Sequence, residues 1–279
     1  MAPAARIDID HLDRGTAGRS LIMGILNVTP DSFSDGGDHN EVEAAVAHAG
    51  LLLSEGADII DIGGESTRPG AAEVDAETEA ARVVPVIQAL AQRTQALISV
   101  DTYKASVAEQ ALKAGAQIVN DVWGLQREPE IARVAGAHGA AVIASHWERQ
   151  TYSPATILDA MKRFFERSVT LARQAGIPDH RIVLDPGIGF GKTMADNLRI
   201  LDRIDEIVAL GFPVLLGVSR KRFIGEITGR EPKERLAGTI ATNVLAAAKG
   251  VSSFRVHDVA AHRDALAVTD AILSSREAP

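Results

Sequence analysis

The sequence contains no cysteine in 279 residues. A disulfide framework, a thiolate-held metal and a thiol nucleophile are therefore all excluded. An excess of positive charge is also missing: 29 Lys and Arg stand against 37 Asp and Glu, for a net charge of −8. That balance argues against nucleic acid as a partner and makes any local cluster of cations a feature to be explained. No uninterrupted apolar stretch approaches the roughly 18 residues of a membrane span, and the first residues mix Arg and Asp with small side chains instead of forming an apolar leader. A soluble, cytoplasmic protein with no membrane partner is expected. Room for a second domain is lacking too. At 46% hydrophobic residues the chain can bury one full core, with 1–20 as a lead-in segment and 21–279 as the single domain.

What is present is an alternation. Eight short apolar runs with β-branched residues, at 21–26, 58–62, 96–100, 117–120, 140–144, 181–184, 213–217 and 252–257, read as buried strands. Between them, apolar residues recur at helical spacing over 41–55, 75–92, 104–114, 128–137, 154–175, 194–210, 233–249 and 261–274. Gly56, Gly115, Gly139, Gly176, Gly211 and Gly250 stand where C-terminal stops are needed. Strand alternating with helix predicts an α/β fold with a parallel sheet, and eight repeats suit a single closed (β/α)8 barrel of the TIM type. The active site of such a barrel lies at the strand C-termini. Here those ends carry Asn27, Gly63, Asp101, Asn120, His146, Asp185, Ser219 to Lys221, and Arg255 with His257. Two strand-to-helix connections, 28–40 and 64–74, are long and rich in Gly, Pro, Ser and Asp, which suits binding loops that order around a ligand.

The strand-end residues suggest a chemistry. Arg255 and His257 are two residues apart on a strand and share a face; a guanidinium beside an imidazole suits a phosphate or diphosphate. The plainer alternative is a surface salt bridge with an imidazole capping the next helix. Ser219, Arg220, Lys221 and Arg222 place three cations in a row, which repel unless an anion or solvent intervenes. Asp101, Asn120 and Asp185 are hydrogen-bonding side chains at three strand ends. A heterocycle with an amine beside a ring N–H presents paired donors that one carboxylate accepts together. Alternatively Asp101 caps the helix starting at Lys104 and Asp185 holds its own turn before Pro186. The stretch Gly187 to Thr193 has the look of a P-loop, but the required first glycine is Pro186. The histidines at strand ends lack metal-ligand spacing. Mg2+ held by one side-chain oxygen and substrate phosphates is a different matter, and Asn27 would suit it.

Seven ordered motifs carry a resemblance: Gly24 to Gly37 (GILNVTPDSFSDGG), Asp61 to Gly70 (DIGGESTRPG), Ser99 to Thr102, Val119 to Asp121, Leu184 to Gly187, Gly217 to Lys221, and Arg255 to His257. Together they resemble dihydropteroate synthase, from about Leu21 to about Val268. The resemblance implies synthesis of 7,8-dihydropteroate from 6-hydroxymethyl-7,8-dihydropterin diphosphate and 4-aminobenzoate, on a barrel, as a homodimer. It implies a pterin site of Asp101, Asn120, Asp185 and Lys221. Asn27, Arg255 and His257 become diphosphate ligands, with Asn27 also on Mg2+. Phe33, Thr67 and Arg68 become loop residues that close over the diphosphate and aminobenzoate, and Phe190 and Ser219 line the same cleft. It further implies early C–O cleavage to a pterin cation, with Asp101, Asp185, Lys221 and Arg255 as the catalytic groups.

Two positions depart from the pattern. Many members carry Met-His after the fifth strand where this chain has Ser145 and His146 followed by Trp147, and a small hydroxyl residue where it has Arg222. Two other readings compete: a methyltetrahydrofolate-dependent methyltransferase on a similar barrel, which has no use for diphosphate ligands, and a non-catalytic pterin-binding paralogue.

Overall fold

The computed structural model describes residues 8–13, 18–29, 37–66, 72–148 and 156–275, the side chains of 37–40 excepted. Among them are eight strands: β1 Leu21–Asn27, β2 Ile59–Gly63, β3 Leu97–Asp101, β4 Ile118–Asp121, β5 Ala141–Ser145, β6 Ile182–Asp185, β7 Leu215–Leu216 and β8 Ser253–Val256. All pair in parallel, in the order β6-β5-β4-β3-β2-β1-β8-β7. A bridge between Leu184 and Val214, with the Leu184 N–H donating to the Pro213 carbonyl at 2.9 Å, joins the two outer strands and closes the ring. The eight-stranded barrel expected from the alternation is what forms.

Side chains alternate across each strand, so one set points into the barrel and the other toward the helices. Leu21, Met23, Ile59, Leu97, Ile118, Ile143, Val183 and Leu215 pack together inside, and Leu12 and Ile9 of the lead-in segment join them. A larger apolar layer, including Ile22, Ile60, Val100, Val119 and Leu184, lies between strands and helices. The inward set turns polar toward the strand C-termini. Ile59 is followed two residues on by Asp61, Leu97 by Ser99 and Asp101, Ile118 by Asn120, and Val183 by Asp185. The apolar inner layer thus forms a floor beneath a polar mouth.

The helices are α1 Gly37–Ser54, α2 Ala76–Arg93, α3 Ala105–Ala114, α4 Glu130–Ala137, α5 Ile157–Gln174, α6 Met194–Asp202, α7 Asp205–Val208, α8 Arg222–Thr228, α9 Leu236–Ala248 and α10 Val259–Ser274. The six glycines expected after helices all have positive φ, from 63° to 118°. Three elements differ from expectation. The helix expected over 194–210 breaks at Arg203, where the Lys249 ammonium takes the Asp202 carbonyl that would otherwise continue the ladder. The segment 213–217 is a two-residue strand, because Pro213 has no N–H and the Val214 N–H donates to the Ser252 hydroxyl at 3.2 Å. Helix α8 was not foreseen; it buries Phe223 and Ile224, while Gly225 inside it dilutes the helical signal.

Candidate active site

Arg255 stands at the centre of the mouth. Its Nε donates to Asp61 Oδ2 at 2.6 Å and its Nη2 to Asp101 Oδ2 at 2.8 Å, so one guanidinium links β8 to β2 and β3. Asn120 on β4 donates through Nδ2 to the same Asp61 oxygen at 3.1 Å. Gly63, in register with Asn27 and Asp101, leaves room between them: a Cβ there would sit 3.5 Å from Asp101 Cβ and 3.9 Å from Asn27 Oδ1. On the opposite rim, Asp185 Oδ1 accepts the Gly187 N–H at 2.7 Å. Lys221 donates to the Ile188 carbonyl, and its ammonium lies 4.4 Å from the centre of the Phe190 ring. Ser219 Oγ is 2.9 Å from His257 Nδ1.

These contacts decide the alternatives left open above. Arg255 is an inward, part-buried ion pair and not a surface bridge, its side chain 22% exposed against a fully buried Asp61. Asp101 does not cap α3, whose cap residue Lys104 has its N–H on Thr102 Oγ. Asp185 does hold its own turn, with one carboxylate oxygen. The three adjacent cations diverge, which removes their repulsion. Arg220, at φ 60°, turns back to Asp258, with Nη2 2.6 Å from Oδ1; Lys221 points inward; Arg222, 90% exposed, reaches Glu226 at 2.5 Å. Arg222 therefore faces solvent, not the cleft.

Burial in a low-dielectric mouth penalises every charge there. Burial pushes Asp101 up to about 7 against the pull of Arg255, with the Asp61 carboxylate adding to the rise. Asp185 is also raised by burial, against the attraction of Lys221. Burial brings Lys221 down to about 8, with Asp185 opposing. Arg255 loses to burial but gains more from Asp61 and Asp101, so its charge is held more firmly than usual. A site with a carboxyl and an amine poised near neutrality is the signature expected of binding or catalysis.

Asp61 was not singled out from the sequence, yet it orients both Arg255 and Asn120. A signal existed: it is a lone carboxylate inside the apolar run 59–62. Its other oxygen, Oδ1, and the buried hydroxyl of Ser99, its register partner on β3, have no hydrogen-bond partner among the described residues. Phe33, Thr67 and Arg68 lie outside the described residues, as does much of both long loops. At the Met-His departure, Ser145 is buried, and His146 packs edge-on against Phe164 at 4.7 Å, its pKa driven down to about 2 by burial, so the ring is neutral. Trp147 stacks on Trp123 at 3.8 Å and lies 5.6 Å from Phe190, forming an aromatic wall beside the mouth.

For Mg2+, no group of three or more His, Cys, Asp or Glu side chains gathers among the described residues. Asn27, exposed at the end of β1, offers one neutral oxygen. That donor set fits an ion that takes its remaining oxygens from a diphosphate and water.

The sequence matches the family model described as pterin binding enzyme over residues 23–257. A dihydropteroate synthase from Bacillus subtilis is 48% identical over 241 residues, 86% of this chain and 84% of the relative. The chain belongs to the dihydropteroate synthase family. Two solved structures of that family superpose closely. One, from Clostridium difficile in the presence of pteroic acid, has a TM-score of 0.88 at 51% identity, covering 91% of this chain and 97% of that one. The other, from Xanthomonas albilineans in complex with 7,8-dihydropteroate, has a TM-score of 0.85 at 44% identity and covers 98% of each. Members of the dihydropteroate synthase family are transferases, and the barrel fold of this chain is of that kind.

Proposed function

We propose that the chain condenses 6-hydroxymethyl-7,8-dihydropterin diphosphate with 4-aminobenzoate to give 7,8-dihydropteroate and diphosphate, as a cytoplasmic homodimer. The observation that carries this reading is the Arg255 guanidinium held between Asp61 and Asp101, with Asp185 and Lys221 across the mouth. Carboxylates face the place of a cationic ring, and cations face the place of its leaving group.

Asp185 Oδ2, Asp101 Oδ1 and the Asn120 amide are the atoms that would read the pterin edge, since Asp185 Oδ1 and Asp101 Oδ2 are already engaged. Arg255 Nη1 has no partner among the described residues and, with His257 and Asn27, would hold the diphosphate. A Mg2+ on Asn27 would neutralise charge building on that leaving group. As the methylene C–O bond breaks, the electron pair leaves with the diphosphate; Asp101 and Asp185 stabilise the pterin cation left behind. The arylamine nitrogen then bonds to the methylene carbon and loses a proton. Phe190, under the Lys221 ammonium, and Ser219 would flank the arylamine, and Phe33, Thr67 and Arg68 would close over it. The exposed apolar side chains Leu245 on α9 and Val268 and Ile272 on α10 support a second copy as partner, which sedimentation tests.

A steady-state assay with both substrates and Mg2+ tests the whole. Product formation that stops with EDTA and returns with Mg2+, while Tm stays unchanged because no cage of acidic or imidazole side chains gathers among the described residues, is the expected outcome. Pterin binding without turnover would favour the non-catalytic paralogue; methyl transfer from a methyltetrahydrofolate would favour the other enzyme.

A further inference from the structure

The segment Gly187 to Lys192, which in sequence has the look of a phosphate loop, has a different use in the structure. In a phosphate loop, backbone N–H groups converge on an anion and the lysine reaches outward. Here the polarity is reversed. Gly187, Gly189 and Gly191 have φ of 62°, 85° and 60°, and the peptides they turn direct carbonyls at one point. The Lys192 ammonium occupies that point, donating to the carbonyls of His146 at 2.9 Å, Gly187 at 2.9 Å and Phe190 at 3.2 Å. An ammonium has three donors, and all three are used. The stem is part-exposed while the head turns in.

What the ammonium holds is the backbone that presents the site. The two peptides flanking Gly187 are both gripped, the carbonyl of Gly187 by Lys192 and its N–H by Asp185 Oδ1 at 2.7 Å. The Phe190 carbonyl is held by Lys192, and the Phe190 ring lies under Lys221, which in turn takes the Ile188 carbonyl. The His146 carbonyl belongs to the end of β5, so the clasp also pins this loop to the neighbouring strand. The loop backbone approaches β5 closely: a Cβ at Gly187 would lie 2.1 Å from the His146 carbonyl oxygen.

We infer that Lys192 is a positioning residue for the reaction, setting the orientation of the Asp185 carboxylate and of Phe190 by clasping the carbonyls of His146, Gly187 and Phe190. This rests on the synthase reading only through the assay. The ammonium is placed at a cost. Burial lowers the pKa of Lys192 to about 7, opposed by Asp185, Asp196 and Glu148 and assisted by Lys221. An apolar side chain would avoid that penalty but leave the His146 and Phe190 carbonyls without donors among the described residues, while the Gly187 carbonyl would keep only the Phe190 N–H at 3.0 Å.

The test is a double-mutant cycle in kcat/KM for the pterin diphosphate, with Lys192→Met, Asp185→Asn and the pair. If Lys192 acts through Asp185, Lys192→Met costs about 30-fold alone but less than about threefold once Asp185 is already Asn, because coupled residues are not additive. A full 30-fold loss in both backgrounds, or no loss in the native one, overturns the inference. Should Lys192→Met not fold, Lys192→Gln, which keeps N–H donors without the charge, is read in the same cycle. Native turnover is the control that separates the two failures: if it is absent, the synthase reading fails, and the same cycle read as pterin diphosphate Kd by calorimetry still decides the role of Lys192.

Discussion

Asp185→Asn separates what the carboxylate does for the fold from what it does for the chemistry. Oδ1 of Asp185 accepts the Gly187 N–H at 2.7 Å, and an asparagine keeps that oxygen and that bond, so the turn survives. Only the second oxygen changes: it becomes an NH2 that meets a pterin ring N–H donor to donor, and the negative charge opposite Lys221 disappears. Losing a charge-assisted contact and the stabilisation of a developing cation is worth about 2–4 kcal/mol in the transition state, or roughly 30- to 1000-fold in kcat/KM. Stability moves the other way. Burial raises the folded-state pKa of Asp185 above its unfolded value, so the folded state binds the proton more tightly and stability falls as pH climbs through that window. The neutral amide removes this penalty, and at pH 8 the variant melts at or above the native Tm. Steady-state kinetics at saturating Mg2+ together with calorimetric melts provide both numbers. A near-native kcat, or parallel losses of activity and stability, would show that the carboxylate serves only the turn and that the proposed pterin site is wrong.

Three further outcomes follow from the same geometry. Arg255→Lys keeps a positive charge but cannot span Asp61 and Asp101 with a planar fork, so the loss is smaller than for Asp185→Asn and falls mainly on KM for the pterin diphosphate; a larger fall in kcat than in affinity would contradict it. With Asp101 near 7 and Lys221 near 8, kcat/KM for the pterin diphosphate rises through about pH 7 as Asp101 ionises and falls above about 8 as Lys221 loses its proton. Lys221→Arg removes the alkaline limb in that profile, and a flat profile over this range is the refuting result. Gly187→Ala forces a Cβ to 2.1 Å from the His146 carbonyl at φ 62°, costing about 3–5 kcal/mol, or roughly 6–20 °C in Tm; a native melting curve would mean the loop packs differently.

Much of this site was legible in the linear chain because the signals it uses are local. A strand shows itself by a short β-branched run, a helix by its spacing and its glycine stop, and the order of eight such pairs leaves few topologies other than a barrel. Because barrel chemistry gathers at strand C-termini, reading the polar residues at or just past the end of the runs was enough to collect Asn27, Asp101, Asn120, Asp185, Lys221, Arg255 and His257. The family motifs then attached a pterin, a diphosphate and an arylamine to those positions.

Pairing was decided only in three dimensions. That Arg255 is held by Asp61 and Asp101, 194 and 154 residues away, cannot be read from either neighbourhood, since such contacts arise from strand register and not from spacing. The fates of the three adjacent cations were equally hidden: one left-handed residue at Arg220 sends successive side chains to Asp258, to the Ile188 carbonyl and to solvent. Lys192 is the sharpest case. Its sequence context suggests a lysine reaching for phosphate, and only the folded backbone, with two carbonyls of the glycine-rich loop and that of His146 at the end of β5 turned toward one point, makes it the clasp behind the site. Sequence determines which groups reach the mouth, because strand ends are local features; the tertiary structure determines their charges and orientations, because burial and long-range contacts set both.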